Sequence, residues 1–236
     1  MNYYFLLEDE KSFMKVLPKW LEYMNFKATR VVDIQAVVKD NYILQSGKGV
    51  TRLITKVLFD TIDTIISNPN KIDKLIIMVD TESETEEYRK AQIWNKIEAK
   101  YDISKFDFEI LIFVCNHCFE SWLLGAKGIY PSGEVDSKSD FYPYFSHYNI
   151  SVNDPELMMV PENVQDTIAK YHFHYLCELF RDQRIRYTKS RPTVVMQEWY
   201  YNELKSRIEK TSHLKSFAKF VQFIYDEASR DECKYV

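Results

Sequence analysis

Residues 75–79, LIIMV, form a short unbroken apolar run that breaks off into the acidic stretch DTESE. A run of this kind suits a strand buried on both faces, and the acids gather where it stops. A second such run, FEILIFV at 108–114, leads into a short apolar helix carrying Phe119, Trp122, Leu123 and Leu124. Upstream, residues 2–7 read as a first strand, and Phe13, Val16, Leu17, Trp20 and Leu21 recur at helical spacing, with Pro18 among them as a potential kink. Residues 31–45 are β-rich with a turn at 39–41, which fits a hairpin or two consecutive strands. An amphipathic helix follows through Leu53, Val57, Leu58, Ile62, Ile65 and Ile66, and a charged helix at 84–100 has Tyr88, Ile93, Trp94 and Ile97 as its inward face.

Strands and helices thus alternate four times before residue 126, which predicts an α/β fold with a mixed or parallel sheet flanked by helices. Residues 127–161 have no clear period and are rich in Ser, Asp, Pro, Gly and aromatics, as in a long excursion or lid. From residue 162 the pattern is helical over 164–180, 198–210 and 214–228. The expected organisation is an α/β core at 1–126, an aromatic-rich excursion at 127–161, and a helical extension at 162–236 packed on the core.

Composition narrows the class. The 236 residues are 46% hydrophobic, enough for a substantial core, and the net charge of −4 argues against a uniformly basic nucleic-acid coat while leaving room for a local basic groove. No apolar run approaches the roughly 18 residues needed to cross a membrane. The apolar start meets Glu8, Asp9 and Glu10 at once, unlike a signal peptide. Cys115, Cys118, Cys177 and Cys233 give no disulfide framework. The expectation is a cytoplasmic protein with no membrane partner, and homo-oligomerisation is left open.

Carboxylates carry the candidate chemistry. Glu8 follows the first strand, and Asp80 and Glu82 follow the central one. At the carboxyl ends of neighbouring parallel strands they can share one crevice, and oxygen ligands of this kind suit Mg²⁺ or Mn²⁺. Such an ion would polarise a phosphoryl oxygen and activate water while a free carboxylate acts as general base, which is a hydrolase layout. The plainer reading is an acidic cap on the next helix. Glu120 is a fourth candidate, as ligand or support, against a helix-start carboxylate bonded to backbone N–H groups.

Three further patterns bear on ligands. SGKGVT at 46–51 joins a strand to a helix, so its amides and Lys48 can cradle a phosphate, although it is not a Walker A motif. Cys115 and Cys118 invite a zinc reading with His117, His172, His174 and Cys177, but without a second tight pair they read better as buried thiols. Arg181, Arg184, Arg186, Lys189 and Arg191 cluster around Tyr187, a pattern fit for phosphate contact and base stacking on nucleic acid.

Together these segments resemble the TOPRIM superfamily of topoisomerases, primases and phage-defence nucleases. Glu8 in FLLEDEKS matches its first motif, and Asp80 and Glu82 in IIMVDTE match its acidic pair. NHCFESWLLG, with Asn116, Cys118, Phe119, Glu120, Trp122, Leu123 and Leu124 in register, is similar to the NPCFExWLL segment of RloB-like and abortive-infection (OLD-type) members. The resemblance covers about residues 2–125. Asp9 stands where the superfamily usually has glycine, and Glu82 replaces its second Asp. It implies a TOPRIM-like Rossmannoid sheet and a Mg²⁺- or Mn²⁺-dependent nuclease acting on DNA or RNA, tRNA included, as the effector of an antiphage system. In that reading Asp80 and Glu82 bind the metal, Glu8 is general base or second ligand, Glu120 supports them, and Lys48 with the 181–191 cluster steers the phosphate backbone. The alternative is a non-catalytic subunit that docks an ATPase or sensor partner through Tyr130, Phe141, Tyr142, Tyr144, Phe145 and Tyr148; a third is a primase-like nucleotidyl transferase.

Overall fold

The structure is a computed structural model that describes residues 1–230; Cys233 and the end of the 162–236 extension lie outside the described residues. Five strands, β1 (Tyr3–Leu7), β2 (Thr29–Arg30), β3 (Asn41–Ser46), β4 (Lys74–Asp80) and β5 (Glu109–Cys115), form one sheet in the order β2-β3-β1-β4-β5. Every pairing is parallel, with Leu7 level with both Ser46 and Met78, and Asp80 level with Cys115. The chain leaves β1 for one edge of the sheet, returns, and crosses from β4 to the other edge. The point where the order reverses therefore lies between β1 and β4, where open α/β sheets form their ligand crevice.

Alternation along the strands divides the core into two layers. Tyr4 and Leu6 of β1 and Leu75, Ile77 and Val79 of β4 face the helical stretch Val50–Arg52 (α2), Leu53–Val57 and Leu58–Ile66 (α3), together with α4 (Glu86–Glu98). Tyr3, Phe5, Leu7, Ile76 and Met78 face α1 (Phe13–Tyr23), α5 (Phe119–Leu123), α7 (Ile168–Asp182), α8 (Glu198–Lys210) and α9 (Lys215–Ser229). The C-terminal helices are thus the second cover of the sheet. Lys74, buried at the start of β4, pairs with Glu227 of α9 at 2.9 Å, and Tyr3 donates to the same carboxylate at 2.9 Å. Removing α9 would leave Lys74 on an uncovered sheet face without that partner.

Several local expectations change. Residues 31–45 do not form a hairpin: a 3-10 turn at Ile34–Ala36, capped by Asp33, carries the chain across so that β2 and β3 run parallel. Val32 is consequently 90% exposed. Helix α1 continues through Pro18. On α4 the inward position belongs to Arg89, while Tyr88 faces solvent.

The 127–161 excursion has only short helical pieces, including α6 (Tyr142–His147), yet Ile129, Val135, Phe141, Ile150 and Met158 are part of the main core. Tyr130, Tyr144, Phe145 and Tyr148 pack against that core, so of the aromatics expected to form a partner surface only Tyr142 is exposed. Arg207 of α8, 3% exposed, ties the excursion down by donating to the carbonyls of Gly125, Ile150 and Asn153. No helix among the described residues is long and apolar enough to cross a membrane.

Candidate active site

Glu8 lies one residue past β1, beside the loop that follows β3. The Gly47 N–H donates to Leu7 O at 2.6 Å and the Gly49 N–H to Glu8 O at 3.0 Å, which presses this loop onto the end of β1. A Cβ at Gly47 would lie 2.6 Å from Leu53, so the close approach needs glycine. With Lys48 N–H donating to Ser46 Oγ as well, the loop amides of 47–49 are committed within the protein. That fits an ordinary turn rather than the phosphate cradle the sequence also allowed, and leaves Lys48 as an exposed side chain beside the site.

The Asp80 N–H donates to Glu8 Oε2 at 2.9 Å, joining the ends of β1 and β4. Burial raises the Glu8 pKa, and the nearby Glu82 charge adds to it; the Asp80 and Val50 amides and the Arg89 guanidinium oppose the shift. Asp80 is raised well above the usual carboxylate range, first by burial and then by the charges of Glu8 and Glu120, with Lys189 pulling the other way. Among the described residues its carboxylate accepts no hydrogen bond and forms no ion pair.

Glu120, 2% exposed on α5, supplies the third acid, with its Oε1 2.7 Å from Lys189 Nζ. It is therefore not the helix-capping carboxylate; the start of α5 is capped by Cys118 and Ser121 instead. Burial alone would lower the Lys189 pKa, but the charge and hydrogen bond of Glu120 raise it. The loop carrying Lys189 is pinned by Lys15 Nζ, which donates to Ser190 O at 2.7 Å. Lys189 is thus a member of the acidic site, separated in role from the arginines around it.

Glu82 sits at the rim, exposed, with a left-handed backbone at φ 55°. Its N–H donates to His117 O at 2.9 Å, and His117 itself has φ 62° and donates its N–H to Thr81 Oγ1 at 2.6 Å. Two non-glycine residues in left-handed conformation therefore lock the loops after β4 and β5 together, a local strain of the kind that clusters at functional sites. Asp9 accepts from the amides of Lys11 and Phe13, which starts α1 and explains an acid at this position.

The other candidates fall into two groups. Arg181, Arg186 and Arg191 line a groove of about 410 Å³ with Cys177 in its wall, and Arg184 is exposed nearby. Arg181 is held by Glu178 at 2.7 Å, whereas Arg184, Arg186 and Arg191 form no ion pair among the described residues. Tyr187 packs inward on Phe180, with ring centroids 5.1 Å apart, so it is not the stacking platform expected. Cys115 and Cys118 are buried thiols whose pKa values burial raises strongly. His172 is locked between Ser121 and the Met158 carbonyl, and burial lowers its pKa to about 4, while His174 pairs with Asp166 on the helix exterior.

Arg89 and the pairing of Lys189 with Glu120 were beyond the reach of sequence reasoning. Arg89 donates to Thr81 O at 3.2 Å from within a helix whose composition gives no hint of a buried cation.

Among the described residues no three His, Cys, Asp or Glu side chains form a ready-made metal cage. Glu8 and Asp80 meet the lesser demand of Mg²⁺ or Mn²⁺: one or two hard carboxylates, with water and a substrate phosphate completing the shell. The Asp80 carboxylate makes no hydrogen bond or ion pair among the described residues, and Lys189 is the cation that acts on it. Comparison with family models, with curated proteins and with solved structures returns no match to this chain.

Proposed function

We propose that this chain is a divalent-metal-dependent nuclease that hydrolyses phosphodiester bonds in DNA or RNA, in keeping with its resemblance to TOPRIM proteins of phage defence. The observation that carries the reading is the meeting of Glu8 and Asp80 at the reversal point of a parallel sheet, with the Asp80 carboxylate unpartnered amid other acids. A bound Mg²⁺ or Mn²⁺ would supply charge against the phosphate and lower the pKa of a water. Asp80 and Glu8 would hold the ion, with Glu82 contributing from the rim of the same crevice. Glu8 would alternatively take a proton from water, and its raised pKa suits a general base. Glu120 orients Lys189, which puts a positive charge beside the acids. Arg186 and Arg191 present unpaired charge to a backbone approaching along their groove.

The test is cleavage of plasmid, single-stranded DNA and total tRNA by the full chain with Mg²⁺ or Mn²⁺, alongside Asp80→Ala. Cleavage that disappears in the variant supports the assignment and identifies the substrate. Equal cleavage by both proteins would overturn it. The exposed apolar side chains Val152, Leu157 and Met159 on the excursion favour one second reading, a subunit that docks an ATPase or sensor protein. Absence of both cleavage and divalent-ion binding, with a defined partner bound through these residues, would favour it.

A further inference from the structure

A second cavity lies away from the acidic site, between α6 and α7. Its volume is about 620 Å³, within the range of small-ligand pockets, and its walls include Tyr144, His147, Tyr171 and Val164. Tyr171 and Tyr144 stand with ring centroids 5.3 Å apart, and the His147 ring meets Tyr171 edge-on at 5.8 Å. Asp140 and Glu178 are the charged residues of the lining, which contains no Lys or Arg.

Two hydroxyls here open to the cavity without a protein partner. Tyr171 is 3% exposed, yet its hydroxyl makes no hydrogen bond among the described residues, and neither does that of Tyr144. Burial raises the pKa of Tyr144, with further contributions from the charges of Glu178 and Asp166. A cavity with aromatic walls, two carboxylates and unpartnered hydroxyls disfavours phosphate and favours a cation rich in N–H groups. A cation of the protein itself already stands at the rim. The guanidinium of Arg181 lies 2.7 Å from Glu178 and 3.7 Å from Asp140, so these acids gather a cation from the protein's own surface.

We propose that the α6–α7 cavity binds an organic cation, an alkylammonium or guanidinium head, with Tyr144 and Tyr171 against its apolar part and Glu178 and Asp140 taking its N–H groups. The chemistry is shared by free polyamines and by arginine side chains. Arg181 competes for the same carboxylates from outside. The proposal is independent of the acidic site and of any nuclease activity.

Calorimetric titration of the full chain at fixed ionic strength, with spermidine and separately with N-acetyl-arginine amide, tests this. Saturable one-to-one binding is expected for at least one probe, and which probe binds identifies the source. Glu178→Gln should weaken it by about tenfold, the scale of one charge-assisted contact. Tyr171→Phe should weaken it several-fold, Glu98→Gln on α4 should leave it unchanged, and Arg181→Gln should tighten it by removing the competitor. Lack of saturable binding by either probe would overturn the proposal. So would equal affinities in Glu178→Gln and Glu98→Gln, or weaker binding in Arg181→Gln, a variant whose surface position spares the fold.

Discussion

The carboxylate of Glu8 is fastened to the backbone of Asp80: the Asp80 N–H donates to Glu8 Oε2 at 2.9 Å, so the acid ending β1 is held against the acid ending β4. Together with the Val50 amide, this contact fixes the Glu8 carboxylate beside Asp80. The same closeness makes the pair electrostatically costly without a cation, which gives the site measurable signatures.

Asp80→Asn should stabilise the metal-free chain at pH 7 by about 1 kcal/mol, as removal of functional strain commonly does. The sign follows from linkage. Burial and its acidic neighbours raise the native pKa of Asp80 above the unfolded value of about 3.9, so the native state holds the proton more tightly. That contribution is complete below the unfolded value and is lost as pH rises through the native one. The advantage of the amide should shrink toward zero as pH falls to about 4. Urea melts across this range measure it, and destabilisation by the amide at pH 7 would contradict the arrangement.

Divalent-ion binding should release protons, because both Glu8 and Asp80 have raised pKa values and must ionise to bind metal. Affinity for Mg²⁺ is therefore expected to increase with pH. Calorimetry in two buffers of different ionisation enthalpy reads the proton count directly. A heat independent of buffer would mean that no proton leaves.

Lys189→Met leaves Glu120 buried without its partner. A fully buried pair would lose 3–5 kcal/mol on such a change, but Lys189 is 38% exposed, so about 2 kcal/mol is expected. Adding Glu120→Gln to Lys189→Met should recover part of the loss. Thermal or urea denaturation of the two variants gives the comparison.

Arg207→Met should cost about 3 kcal/mol, because three inward-facing carbonyls lose a charged donor. For a chain of this size that corresponds to a fall in Tm of roughly 6–12 °C. Proteolysis should then cut first within 127–161, the segment those carbonyls anchor.

Arg186→Gln with Arg191→Gln should weaken nucleic-acid binding about equally for all sequences and reduce the slope of log affinity against log salt by about 2. Both side chains are exposed and unpaired among the described residues. An unchanged salt slope would remove them from the binding surface.

The α/β class was legible because apolar runs such as 75–79 must be covered on both faces; Glu8, Asp80 and Glu82 were legible because each stands just past a buried strand, and Glu120 because it lies near the start of the short helix after 108–114. The glycine loop at 46–49 looked like an anion cradle because spacing does not reveal that its amides are taken by Ser46, Leu7 and Glu8. Residues 31–45 fitted either a hairpin or two consecutive strands because β-rich composition carries no strand direction; the turn at Ile34–Ala36 supplied it.

By itself the sequence determined which segments are buried strands, where acids end them, and that helices must cover the sheet, since periodicity and burial are local properties of the chain. Tertiary structure alone decided that β1 and β4 are neighbours, that Lys189 crosses to Glu120, and that Arg89 turns inward beneath Thr81. Those are contacts between residues far apart in the chain, selected by which charges the folded interior can balance, and no spacing along the sequence encodes them.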